Sequence, residues 1–282
     1  MEKHFLSTVP QKPVGEHYMA ITTWRGGYVW YAVLIPAFVA PLTFLCQRSR
    51  PEDLGLAPDG APCSSRSTGA ATSLGAMERG LSYRTVLWSR SFWALFGMIF
   101  TIGFNSMFLT VHQHQYLVDR GFQPGFAAWM LGLSGLLRSG GGLLWGSLSD
   151  RITREVSFTL VTLCGVSALT CLLAVQTAAD TGRVVLAVLL MGLGYGGASV
   201  LYSTSAADLF PGRHFGKVLG LLEIGFGLGA SAGSYVGGVV FDVLHTYRPS
   251  FYVTMGLMLL SIACVWIAAP RVARQERQGE GG

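Results

Sequence analysis

The chain has 282 residues, of which 51% are hydrophobic and only 12% charged. Soluble domains carry about a quarter charged residues, so the composition excludes an ordinary soluble globule and fits an integral membrane protein. The net charge of +5 then reads as topology rather than a nucleic-acid footprint, and 37 glycines suit helices that pack backbone to backbone in lipid.

Residues 1–27 have no apolar core behind a basic start, so they are not a signal peptide and read as an extracytoplasmic segment. Roughly 20 apolar residues span a bilayer as a helix. Seven such stretches follow, at 28–46, 92–117, 125–148, 156–176, 183–206, 217–241 and 251–269. A polar linker, 47–90, separates the first from the rest; its centre, 58–80, is rich in Ala, Gly, Ser and Thr and reads as disordered. The last six stretches are joined by short loops and form one domain, 91–270, ahead of a tail at 271–282. The expectation is an all-α membrane protein with seven transmembrane helices, the last six forming one half of a two-domain secondary transporter. Those six divide three and three about Asp180, the inverted-repeat pattern of transporters.

Loop charge sets the orientation. Thirteen Lys and Arg residues, among them Arg84, Arg151, Arg213 and Arg274, fall on one side, against six on the other, among them Arg120, Arg183 and Arg248. The richer side is read as cytoplasmic. The C-terminus is then inside and the N-terminus outside, in a cell membrane. An exported start of this kind makes the chain look like the back of something larger.

Two spans carry an ion. Arg138 lies near the middle of its span, where a guanidinium can hold a carboxylate through two hydrogen bonds. Its alternative is a structural pair with Glu223 or with helix-end carbonyls. Glu223 is the one acidic residue well inside a span; a carboxyl in a low-dielectric setting can hold and release a proton. Asn105, His112, His114 and Tyr116 share the second span, and His112-x-His114 is no metal pair, because i and i+2 face different sides of a helix. Gly192-Leu-Gly194-Tyr-Gly196-Gly197 matches a dinucleotide fingerprint but lies inside a span with no strand before it, so helix contact is the better account. Gly225, Gly229, Gly233 and Gly237 repeat every four residues and make one small-residue ridge. Tyr195, Tyr202 and Tyr235 could offer hydroxyls to a cavity or pack at helix interfaces. There is no helical HExxH, no Walker loop and no credible Ser/His/Asp set, so no enzyme, cofactor or metal is expected.

Gly146-Ser-Leu-Ser-Asp150-Arg151 at the end of the third span resembles the cytoplasmic loop motif of the major facilitator superfamily. Other segments agree in order: Trp24-Arg25, the run from Arg50 to Gly60, Ser91-Phe92-Trp93, Val111-His112 with Tyr116-Leu117, Gly121-Phe122, Phe210-Pro211 with Phe215-Gly216, and Phe241-Asp242 with Tyr247. The resemblance covers 22–270 and runs closest to the monocarboxylate and oxalate/formate branch. It implies the sixth helix, central loop and C-terminal six-helix half, with five helices missing in front.

It also implies transport of a small organic anion, with a proton as a further partner, and an arginine on the third span that binds it. The usual arginine position falls on Gly142; Arg138 is one turn deeper on the same face. The candidate site is therefore Arg138, Asn105, His112, Tyr116 and Tyr202 for substrate, Glu223 for proton coupling, and Asp150 with Arg151 as a conformational gate. The partners implied are the lipid bilayer and a missing N-terminal half or a partner membrane subunit. A non-transporting regulatory half-transporter and a seven-helix receptor are the rival readings.

Overall fold

The computed structural model describes residues 24–46, 83–211 and 214–268. The expectations for 1–23, most of the 47–90 linker and 269–282 lie outside the described residues. The chain divides into two units, Met1–Thr72 and Ser73–Gly282. In the first, α1 (Trp24–Cys46) contains Pro36 and Pro41 and carries exposed Val29, Trp30, Phe38 and Phe44, a surface suited to lipid.

The second unit holds a short α2 (Tyr83–Leu87), then α3 (Arg90–Asp119), α4 (Pro124–Arg151), α5 (Arg154–Leu173), a 3-10 turn (Ala178–Asp180), α6 (Thr181–Leu209), α7 (Phe215–Leu244) and α8 (Arg248–Ala268). No strand occurs among the described residues. Five helices, α3, α5, α6, α7 and α8, are long and apolar enough to cross a membrane. The sequence suggested seven such spans. The 28 residues of α4, about 42 Å at 1.5 Å per residue, match them in length, but Gly and Ser dilute its apolar content. In α1 the apolar part shortens to Ala32–Leu45.

Local chemistry sets the helix starts. The Ser89 hydroxyl accepts from the Phe92 N–H at 3.2 Å to cap α3, and Thr153 caps α5 through Val156. Pro124 opens α4 at a position where its missing N–H costs nothing.

The packing is symmetric. α3 packs chiefly on α7 and then on α8; α6 packs chiefly on α4 and then on α5. Exchanging α3, α4, α5 for α6, α7, α8 maps these four contacts onto one another. This is the three-plus-three division about Asp180, with each triple's first helix seated between the second and third helices of the other triple.

Small residues bring these helices close. A Cβ at Gly229 would run into the Phe100 carbonyl, and one at Gly233 into the Phe104 carbonyl, so the expected ridge of α7 lies directly on α3. A Cβ at Gly196 of α6 would collide with the carbonyl of Arg138 in α4. Two apolar clusters fill the ends of the bundle, one around Phe108, Leu117, Leu169 and Phe251, the other around Leu95, Ile99, Phe158 and Leu201.

Candidate functional site

Arg138 stands at the middle of α4, and one of its guanidinium nitrogens donates to the Ser106 hydroxyl at 3.3 Å. The guanidinium also lies over the Tyr195 ring, 5.6 Å from its centre, a cation–π contact that holds a delocalised charge without neutralising it. No ion pair joins Arg138 to Glu223 or to any other carboxylate among the described residues.

These groups border a narrow cleft, lined on its polar side by Ser106, Thr110 and Gln113 of α3, Ser134 and Arg138 of α4, and Tyr195 of α6. Leu109, Leu131 and Met191 form the apolar walls. The spacings follow helix geometry: 106, 110 and 113 share a face of α3, 131, 134 and 138 a face of α4, and 191 and 195 stand one turn apart. Gln113 is 1% exposed, and neither of its amide heteroatoms has a hydrogen-bond partner among the described residues. The Tyr195 hydroxyl is likewise buried and unpartnered. Among the described residues Arg138 is the single charged side chain lining the cleft, so the arrangement can hold one anionic group and offer hydrogen bonds to the rest of the molecule that carries it.

The other expected substrate residues lie elsewhere. Asn105, 3% exposed, faces a separate internal pocket with Thr162, Tyr195 and Ser261, and its carbonyl oxygen has no partner there. The His112 ring nitrogen Nε2 lies 3.0 Å from the Ser234 carbonyl of α7, and the ring packs against Phe108 and Tyr247. Tyr116 donates to the Leu172 carbonyl at 2.8 Å within the same aromatic cluster, under the Arg120 guanidinium. Tyr202 donates at 2.7 Å to Glu223, which is exposed and does not line the Arg138 cleft. Sequence reasoning missed Ser106, Thr110, Gln113 and Ser134. For the first three the signal is the run of polar residues at i, i+4 and i+7 on α3, one position round from the Asn105, His112, Tyr116 stripe; Ser134 stands four residues before Arg138 on α4.

The family model for the Major Facilitator Superfamily matches residues 94–282, more than half the chain. The chain belongs to the major facilitator superfamily. A search of curated proteins returned no match. Among solved structures, a mutant of the peptide transporter POT in complex with sulfate superposes with a TM-score of 0.57 at 17% identity, covering 68% of this chain and 40% of that one. This likeness is one of fold, and the chain spans well under half the length of the transporter it matches.

In this member of the superfamily the loop motif at Gly146 joins three helices. Arg154, 9% exposed, pairs with Asp150 of α4 at 2.9 Å and with Asp208 of α6 at 3.2 Å, and also donates to the Ser149 hydroxyl. Asp150 thus pairs with the first residue of the next helix rather than with its neighbour Arg151, which is exposed and makes no ion pair among the described residues. Arg154 and Asp208 completed the motif and were not singled out in the sequence, because the second lies 54 residues away.

Proposed function

We propose that this protein serves secondary transport of a small organic anion, a monocarboxylate or similar carboxylate, with Arg138 as the group that holds the carboxylate. The observation that carries this reading is a guanidinium at mid-helix, bordering a cleft and paired with a hydroxyl and a ring rather than with a carboxylate. A charge at that depth is costly and tends to mark a substrate path. Alternating access needs a second bundle rocking against this one. Gly132, Gly135 and Gly140 of α4 and Gly220 and Gly227 of α7 have open space where a side chain would be, which leaves room for such a bundle, whether an N-terminal half or a partner membrane subunit. Asp150, with Arg154 and Asp208, would serve as the cytoplasmic clasp that opens and closes with it. Glu223, exposed and held by Tyr202, is the proposed proton carrier, in a cell membrane with the C-terminus inside.

Binding of radiolabelled short-chain carboxylates to the full chain in lipid nanodiscs tests this. Arg138→Gln should weaken binding at least tenfold, and Arg138→Lys should weaken it less, since the charge stays while the planar fork is lost. Glu223→Gln should flatten the pH dependence of binding and leave the affinity at acid pH in place. Unchanged affinity in Arg138→Gln would remove the carboxylate reading.

A further inference from the structure

We infer that Gln113 selects the substrate by its second polar group, so that the molecule held at Arg138 is a short acid carrying a neutral hydrogen-bonding group at its far end. This rests on Arg138 as the carboxylate site. Gln113 is almost fully buried, lines the same cleft as Arg138, and has both its amide donor and its amide acceptor unpartnered among the described residues. Leaving such a group unpaired in a low-dielectric setting is expensive, so a buried amide of this kind is retained for a partner that it meets.

The distances limit that partner's size. The guanidinium is anchored at Ser106, seven residues before Gln113 on α3, about 10 Å of helix rise. Taking that rise as the separation of the two polar groups, a hydrogen bond of about 3 Å at each end leaves roughly 4 Å for the ligand. That is the reach of a three- or four-carbon acid.

The chemistry limits it further. The amide is neutral and both donates and accepts, so it suits a hydroxyl or an amide, which do the same. A second carboxylate would arrive at Gln113 with no second cation to meet it, because Arg138 is the single charged group lining the cleft among the described residues. A plain alkanoate would leave the amide unsatisfied. A site built to hydrogen-bond a substrate group rejects an analogue that lacks it, whereas an apolar pocket discriminates weakly.

The test compares butyrate, γ-hydroxybutyrate and succinate at neutral pH, binding to the full chain in lipid nanodiscs. The wild-type protein should prefer γ-hydroxybutyrate over both others by on the order of tenfold or more. Gln113→Met, of similar volume and without the amide, should bind butyrate and γ-hydroxybutyrate equally. Its thermal unfolding should occur at or above the wild-type temperature, because an unpaired buried amide has been removed. A preference that survives in Gln113→Met, or succinate binding as tightly as γ-hydroxybutyrate, would overturn the inference while leaving Arg138 in place. Loss of all binding in Arg138→Gln, beside a Gln113→Met variant that merely loses its preference, is the pattern expected. Indifference of every acid to Arg138→Gln would remove the carboxylate site and this inference with it.

Discussion

Arg138 and Arg154 are both guanidinium groups held within the helical bundle, and their surroundings differ. Arg154 is held by two carboxylates and a hydroxyl at the meeting of α4, α5 and α6. Arg138 has a hydroxyl and a ring. Removing Arg154 takes its ion-pair contact from the partly buried Asp208 carboxylate and from Asp150. Breaking a fully buried pair costs about 3–5 kcal/mol; the exposure of Asp150 at 63% discounts this, so Arg154→Gln should lose about 2 kcal/mol of stability. Arg154→Lys should lose less. Reversible unfolding in mixed detergent micelles measures both. A loss under about 0.5 kcal/mol would mean that the clasp is solvated in the way of a surface pair. In the same experiment Arg138→Gln should leave stability nearly unchanged, because no carboxylate depends on it.

At the scale of the element, the glycines of α7 distinguish contact from coincidence. Gly229 and Gly227 lie two residues apart on one helix, yet a Cβ at Gly229 meets the Phe100 backbone whereas one at Gly227 meets nothing within 4 Å. Backbone atoms cannot rotate away, so Gly229→Ala must push α3 and α7 apart. Overpacking of this kind costs about 1–3 kcal/mol. Gly227→Ala should be neutral or stabilise by a few tenths of a kcal/mol up to about 1, since alanine restricts the unfolded chain and favours the helix. Equal melting temperatures for the two variants would show that the α3–α7 contact is looser than the structure has it. The four-residue repeat was legible in the sequence as a ridge, but nothing in the repeat says which helix it meets. That partner is α3, because the inverted packing seats the second helix of one triple on the first helix of the other.

For the whole molecule, the orientation in the membrane follows from loop charge. From thirteen Lys and Arg residues against six we propose that the Arg154 end of the bundle faces the cytoplasm and the Asp180 turn the outside. Cysteine labelling of intact cells with a membrane-impermeant reagent checks this. Cys63, in the linker, should stay unlabelled until the membrane is permeabilised, and a cysteine placed at Ala178 should label at once. Strong labelling of Cys63 from outside would invert the assignment. The bundle's two ends differ in kind: one is clasped across three helices by Arg154, and the other carries local pairs such as Arg183 with Asp180 at 2.7 Å.

Hydropathy alone determined that this is an all-helical membrane protein, since the cost of burying backbone polar groups in lipid admits few other folds. The order of short motifs placed it in its superfamily before any coordinate was known, because helix ends and loops carry local chemistry that survives in sequence. The candidate site was legible at Arg138, where a charge in an apolar span announces itself. It was not legible at Gln113. Two polar stripes run along α3, Asn105 with His112 and Tyr116, and Ser106 with Thr110 and Gln113, both at helical spacing and adjacent on the cylinder. Periodicity assigns residues to a shared face but cannot say what the face looks at. The tertiary structure turned the first stripe inward, Asn105 to the pocket it shares with Thr162 and Ser261, and His112 and Tyr116 to the aromatic cluster, and it turned the second stripe to the Arg138 cleft. That choice depends on how α3 is rotated between α4, α7 and α8, a property of the packed bundle that no single helix encodes.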